Sequence, residues 1–333
     1  MDPLSQGVLG GSASLSISNR SHIIIAICCG VLAGMAPDLD AFIRSDQDPL
    51  LYLEYHRQFT HSLIFIPFGA LICALLFRIS FARRLQFKRV YLYCFVGYAT
   101  HGLLDSCTTY GTQLFWPFSN TRVAWHTISI IDPVFTIPLV LLVFLGAVKK
   151  SKHLGRIALC WALSYLLFGA WQGQRAQTFG EELARSRGHS SDSVEAKPSF
   201  ANTLVWKIIY EADGYYYVDA VRLGWQAKLY PGRTIPKLDL QTDLPWLDLS
   251  SQQARDVERF RWFSNDHLAL STEQANFIID MRYSMLPNQV TGMWGIKLFP
   301  YKTPNEHVEF IWNRRATQKD TAALLNMILG RPQ

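Results

Sequence analysis

Hydrophobic and polar positions divide the chain into two halves with different periods. In the first half, five stretches run without Lys, Arg, Asp or Glu: His22–Pro37, Ser62–Phe77, Val90–Leu104, Pro133–Val148 and Ile157–Gln174. Each is about 15–18 residues long, the short end of a bilayer-spanning helix. Single stretches of this kind also occur as buried helices of soluble proteins; five in succession, with basic clusters between some of them, favour a membrane. Ahead of them, Leu4, Val8 and Leu15 with Gly7 and Gly11 suggest a short helix with a small-residue packing face. No basic segment followed by an apolar run opens the chain, so no cleavable signal peptide is expected. Residues 175–200 are polar and Ser-rich and read as a linker. After Pro198 the period becomes two. Thr203–Glu211 and Tyr215–Arg222 flank Asp213-Gly214, a two-residue hairpin signal. Phe277–Tyr283, Gly292–Phe299 and His307–Asn313 read as further strands, Gln252–Phe263 and Asp320–Leu329 as helices. The expected architecture is a multi-pass α-helical membrane domain of about five helices over 1–174, a linker, and a small extramembrane α+β domain with an antiparallel sheet over 201–333.

Composition supports this division. Of 333 residues, 49% are hydrophobic and 17% charged, below the roughly 25% charged of soluble domains; an apolar content this high excludes disorder. The net charge of +6 is unevenly spread: residues 1–172 carry 13 Lys/Arg and 8 Asp/Glu, the remainder 19 and 18. Because the basic excess lies in the apolar half, it points to a lipid bilayer as partner, with no nucleic acid expected. Arg78, Arg83, Arg84, Lys88 and Arg89 follow the second stretch, and Lys149, Lys150, Lys152 and Arg156 follow the fourth. With both loops cytoplasmic, the C-terminal domain falls on the outer side. The six cysteines lie in or beside apolar stretches, show no metal-binding spacing, and read as buried small hydrophobes.

An ionisable residue inside an apolar stretch is costly, and so marks function by default. Four such clusters fall on one predicted side. Asp38 and Asp40 end the first stretch; their oxygens suit divalent metals, and a helix end at the interface is the plain alternative. His56 and His61 precede the second stretch and could converge on a metal, with Arg57 between them as a phosphate clamp. His101 and Asp105, four residues apart, share one helical face; both can bind one metal, or the Asp can orient the His. Arg122, His126 and Asp132 complete the set, Asp132 being a candidate ligand or a helix N-cap. Three His and four Asp (Asp38, Asp40, His56, His61, His101, Asp105, Asp132) suit one or two Zn²⁺-like ions. Asp105 or His126 would handle a proton, and Arg57 and Arg122 would neutralise phosphate charge.

The segments MDPLSQGVLG, GVLAGMAPDLD, HRQFTHS, THGLLDSCTTYGTQLFWPFS and IDPVFTIPL together resemble the YdjM-like family of membrane-bound metal-dependent hydrolases, over about residues 1–150. NTLVWKIIYEADGYYYV and IIDMRYS look like the extra domain that some members carry. The family is usually placed near zinc-dependent phospholipase C and single-strand nucleases, whose multi-zinc phosphodiesterase sites use His-x-x-x-Asp pairs. The resemblance implies polar site positions at Asp38, Asp40, His56, His61, His101 and Asp105, with Asp132 a weaker match, and a place in a cell (inner) membrane. Ser5-Gln6 stands where many relatives have Thr-His, so one early ligand is missing. The expected function is metal-activated hydrolysis of a phosphoester such as a phospholipid or lipid-linked phosphate. The alternative is a non-catalytic metal-binding or regulatory interaction protein of the membrane. A transporter, with intramembrane Asp and His as proton relays, fits less well because the halves show no inverted repeat.

Overall fold

The computed structural model describes residues 1–190, 193–314 and 317–332. The chain forms two compact units, one of Met1–Phe42, Tyr55–Trp171 and Phe200–Thr203, the other of Ile43–Glu54, Gln172–Ser199 and Leu204–Gln333.

The first unit is helical. Its elements are α1 (Pro3–Ile17), α2 (Ile23–Met35), α4 (Ile66–Ser80), α5 (Phe87–Ser106), α6 (Pro133–Val148) and the start of α7 (Lys152–Ser186), while the short α3 (Leu51–Tyr55) lies at the boundary with the second unit. Asp2 caps α1 by accepting from the Ser5 amide, and Pro3 opens the helix, an arrangement suited to a first turn that lacks amide partners. Every residue of α1 from Ser5 to Ser16 is buried. The helix packs on α2, α5 and α6, and its small residues let backbones touch. A Cβ on Gly10 would sit 2.4 Å from the Gly30 carbonyl oxygen, and one on Gly97 2.6 Å from the same atom. Three helices thus meet at Gly30, as small-residue packing in membranes requires.

Outside this core the pattern is inverted relative to a soluble protein. Ile137, Leu141, Phe144 and Val148 expose one stripe of α6, and Phe68, Ile72, Leu75, Leu76 and Ile79 a face of α4, while Ser, Gln, His and Asp are buried. Apolar surface outward and polar groups inward is the arrangement a bilayer favours. Among the described residues, three helical stretches are long and apolar enough to cross a membrane: Arg20–Phe42, Leu63–Ser80 and Lys152–Ser186; Pro133–Lys149 is apolar but shorter. The third expected stretch lies in α5, which carries Lys88, Arg89 and Asp105 and is not among them.

The second unit holds two four-stranded antiparallel sheets, of order β1-β2-β3-β4 and β5-β6-β7-β8. The strands are β1 (Val194–Pro198), β2 (Val205–Ala212), β3 (Tyr215–Leu223), β4 (Ala227–Pro236), β5 (Leu268–Leu270), β6 (Phe277–Asp280), β7 (Trp294–Lys297) and β8 (Glu309–Trp312). Three helices accompany them, α8 (Leu240–Asp243), α9 (Gln252–Phe263) and α10 (Gln318–Leu329). The hairpin stands where expected, with Asp213 and Gly214 at φ of 53° and 77°, both positive as its two-residue turn demands. One face of the first sheet (Trp206, Ile208, Tyr210, Val221) packs on Ala176 and Ala184 of α7; the other (Ile209, Tyr216, Val218, Ile235) packs on Phe277 and Ile279.

The expected linker is corrected by these elements. Residues up to Ser186 continue α7, and Val194–Pro198 is a strand paired with β2 from Val194↔Tyr210 to Pro198↔Trp206; Ser191 and Asp192 lie outside the described residues. Ala176, Phe179 and Ala184 meet the sheet at helical spacing, while polar residues on the opposite face make the stretch look like a loop in composition. Three strands escaped the period-two reading, β1, β4 and β5, and all three are sheet edges. Edge strands are short, charged or interrupted by Pro, and so lose the alternation that marks central strands.

Candidate metal centre

The centre is assembled from three places in the first unit. Asp38 and Asp40 lie on a 3-10 segment, Ala36–Phe42, that continues α2. His61 ends a 3-10 turn, Phe59–His61, after the loop that carries His56 and Arg57. His101 and Asp105 stand one turn apart on α5. Gly102 lets these parts approach, because a Cβ there would lie 2.2 Å from the His61 carbonyl oxygen. Arg57 adopts φ of 68°, a left-handed conformation that costs a non-glycine residue free energy. Its amide donates to Asp40 Oδ2 at 3.1 Å and its carbonyl accepts from the Gln113 amide.

Hydrogen bonds fix the tautomers of both buried imidazoles. His101 Nδ1 is 2.6 Å from the Gly34 carbonyl oxygen; a carbonyl only accepts, so Nδ1 carries a proton and Nε2 faces the centre. Thr60 Oγ1 donates its proton to Asp40 Oδ2 at 2.6 Å. At 2.9 Å from His61 Nδ1 the hydroxyl therefore accepts, and His61 Nε2 also faces the centre. The two Nε2 atoms are 2.9 Å apart. Asp38 Oδ1 lies 3.5 Å from that of His61 and 3.4 Å from that of His101, and Asp105 Oδ2 lies 3.4 Å and 3.8 Å from the same two atoms. Lone pairs this close repel unless positive charge, a proton or a cation, sits between them. Burial alone would lower the His61 imidazole, but Asp105, Asp38 and Asp40 around it raise it to about 10. The same carboxylates that hold that proton would hold a cation.

Two ligand groups result. Asp38, His61, His101 and Asp105 offer one donor atom each, all within 4.8 Å of one another, and Asp38, Asp40 and His56 form a second such group. Asp38 belongs to both. Nitrogen and carboxylate oxygen without thiolate is a donor set suited to a divalent ion of the zinc type, so the cluster could hold a metal ion. Around it, Asp40 accepts from His56 Nδ1 at 2.7 Å, and burial, stronger than the pull of that carboxylate, lowers His56. Arg57 Nε stands 3.0 Å from Asp105 Oδ2, and its Nη1 donates to Thr108 Oγ1 at 3.0 Å.

The remaining expected residues divide. His126, at φ of 52°, sits in a loop tied to the end of α5, where the Trp125 amide donates to the Ser106 carbonyl and the Thr127 amide to that of Cys107. Arg122 donates to the Gly111 carbonyl at 3.0 Å and lies against Tyr110, as Arg57 does. Asp132 is not brought to the cluster. Its Oδ1 caps α6 by accepting from the Val134 and Phe135 amides, and its Oδ2 accepts from the Tyr165 hydroxyl at 2.9 Å. Gln6, read in the sequence as a missing ligand, still reaches the site: its Nε2 donates to Asp105 Oδ1 at 2.7 Å. The Met1 amino nitrogen also contacts Asp105 Oδ1.

Known proteins resemble part of this chain. Uncharacterized protein YfhP of Bacillus subtilis (strain 168) is 30% identical over 128 residues, 38% of this chain and 38% of that protein. Inner membrane protein YbcI of Escherichia coli (strain K12) is 35% identical over 107 residues, 30% of this chain and 60% of that protein. The matches thus span less than two thirds of either relative. No solved structure matches. A family described as YdjM inner membrane protein matches residues 1–176, and its name and the apolar helices together fit an inner membrane location. The chain belongs to the YdjM inner membrane protein family.

Proposed function

We propose that the protein is a multi-pass inner membrane hydrolase that uses one or two divalent ions, zinc by donor type, to cleave a phosphoester such as a phospholipid or lipid-linked phosphate. The observation that carries this reading is the convergence of His61 Nε2, His101 Nε2, Asp38 and Asp105 on one point, inside a unit whose outer surface is apolar. When bound, such ions supply Lewis acidity and lower the pKa of a water. The chain's own residues supply the rest. His101 is held by the Gly34 carbonyl and His61 by Thr60 and Asp40, so neither ring can turn away. Arg57 and Arg122, both against Tyr110, neutralise phosphate charge as it builds. Asp105 and His126 are assigned to accept or return a proton. In this reading α5 and α6 also cross the bilayer, giving five spans, with the basic loops after α4 and α6 cytoplasmic and the C-terminal unit periplasmic.

Purified full-length protein in detergent tests the reading. Stoichiometric zinc, and phosphate release from phosphoesters or phospholipids that chelation abolishes and zinc restores, is the expected result. Stoichiometric metal without hydrolysis of any phosphoester, and unfolding on chelation, would make the cluster a structural metal site instead.

A further inference from the structure

Near the candidate metal centre the first unit buries polar groups that no atom of the described residues satisfies. Gln113 is 1% exposed, and neither Nε2 nor Oε1 of its amide has a hydrogen-bond partner; Thr112 Oγ1, fully buried, also has none. Leaving such groups unpaired is costly, so natural proteins rarely do so without a ligand or water to fill the gap. The position is not remote from the chemistry. The Gln113 amide nitrogen donates to the Arg57 carbonyl at 2.9 Å, and Arg57 reaches Asp105 with its guanidinium. Thr112 follows Gly111, whose carbonyl accepts from Arg122. Arg57 and Arg122 lie against the Tyr110 ring at 4.8 and 5.6 Å from its centroid.

The chemistry of these groups restricts what can satisfy them. A phosphate has only acceptor oxygens, so it can take the two guanidinium groups and the Gln113 NH₂ but offers nothing to Gln113 Oε1. That oxygen needs a donor. An ammonium would supply one, but beside two guanidinium groups it is repelled. A hydroxyl supplies one without charge, and Thr112 Oγ1 is a second buried unpaired group that a hydroxyl can pair with. We infer that Gln113 and Thr112 select a phosphate ester whose alcohol carries a free hydroxyl, of the glycerol or sugar type, over one carrying an amine. This rests on the phosphoester reading above and deepens it. The shared chemistry fits a lipid head group and a soluble polyol phosphate alike.

Titration calorimetry on the zinc-loaded full chain in phosphatidylcholine nanodiscs tests it without relying on turnover. The probes are glycerol 3-phosphate, ethanolamine phosphate and inorganic phosphate. Glycerol 3-phosphate is expected to bind about tenfold or more tightly than the other two, the size of one buried hydrogen-bond group satisfied or left unpaired. Gln113→Met, close in shape and unable to pair, should reduce that ratio to about one, while inorganic phosphate, which loses only the Gln113 NH₂, still binds through Arg57 and Arg122. Where Gln113→Met does not fold, Thr112→Val decides, with a severalfold loss of the ratio expected. Discs doped with phosphatidylglycerol or phosphatidylethanolamine repeat the comparison for lipid. A preference seen only there assigns the hydroxyl to a lipid head group; one seen only with the free esters assigns it to a soluble polyol phosphate. Equal binding of all three soluble probes and both lipids by the unmodified protein overturns the inference, as does a preference that neither variant alters; a buried water then satisfies the amide. Absence of binding by any probe, inorganic phosphate included, defeats the phosphoester reading itself.

Discussion

Each unit buries a cluster of ionisable groups, and the two are built on opposite terms. In the second unit Asp280 is fully buried, and its carboxylate accepts from Arg282 Nε and Nη2 at 2.9 and 2.7 Å, from the Arg282 amide and from Trp294 Nε1. Arg282 Nη2 also donates to the Phe263 carbonyl. Lys197 and Lys207 face each other across β1 and β2, yet Lys197 pairs with Glu195, and Lys207 Nζ donates to Ser284 Oγ and the Gln289 carbonyl. Donors meet acceptors throughout. In the first unit acceptors crowd together: two ring nitrogens stand 2.9 Å apart beside two carboxylates, one of which, Asp105, is also paired with Arg57. Burial and charge are common to both clusters, so neither marks a functional site. An excess of lone pairs aimed at one point does, because only added positive charge, a proton or a metal cation, completes it.

Two substitutions should break this contrast most sharply. His101→Ala removes a donor from the incomplete cluster, and zinc affinity should fall more than about 100-fold, beyond the loss typical of a residue that merely orients a ligand. Metal analysis after dialysis against graded chelator reads this directly, and unchanged metal content would defeat the assignment. Asp280→Ala removes an acceptor from the complete cluster and strands Arg282 in a buried site. It should cost about 3–5 kcal/mol of stability, visible in denaturant unfolding followed by tryptophan fluorescence, with metal content unaltered.

The same contrast explains what could be read from the sequence. Asp38, Asp40, His56, His61, His101 and Asp105 stood out because an ionisable residue in an apolar helical half is anomalous, and all six come together. Asp280, Arg282, Lys197 and Lys207 did not stand out, because in a half with 19 basic and 18 acidic residues charge is ordinary and burial is set by sheet pairing. Gln113 was silent for a third reason, since an uncharged amide is no anomaly anywhere until its surroundings are known. In the fold, the helix from Gln252 to Phe263 and the hairpin at Asp213-Gly214 follow from local pattern alone. The run of α7 to Ser186 does not, because its later turns are helical only by virtue of the sheet they cover.

A smaller effect probes how complete the second cluster is. Burial lowers the Lys207 amine from its ordinary 10.5 to about 7, with Asp280 opposing and Lys197 adding to the shift. The unfolded chain then binds that proton more tightly than the folded one. Below pH 7 the penalty is fully present; between pH 7 and 10.5 it is relieved, and stability should rise with pH. Lys207→Met should flatten that rise by up to about 1.4 kcal/mol per pH unit, measured as denaturation midpoints at pH 7, 8.5 and 10. An unchanged slope would mean that Ser284 and Gln289 hold the amine charged.

The smallest effect separates two acids within the first unit. Asp132 and Asp105 are both fully buried at helix ends, but Asp132 has every contact a cap needs: two backbone amides and the Tyr165 hydroxyl. Asp132→Ala should therefore cost about 0.5–2 kcal/mol, the loss of an N-cap, read as a lower melting temperature in detergent, with zinc stoichiometry intact. Asp105→Ala should do the reverse, emptying the centre of metal, because its Oδ2 lies within reach of both His61 and His101. If Asp132→Ala instead emptied the centre, acceptor excess would not be what distinguishes a ligand from a cap, and the two clusters would have to be told apart by some other property.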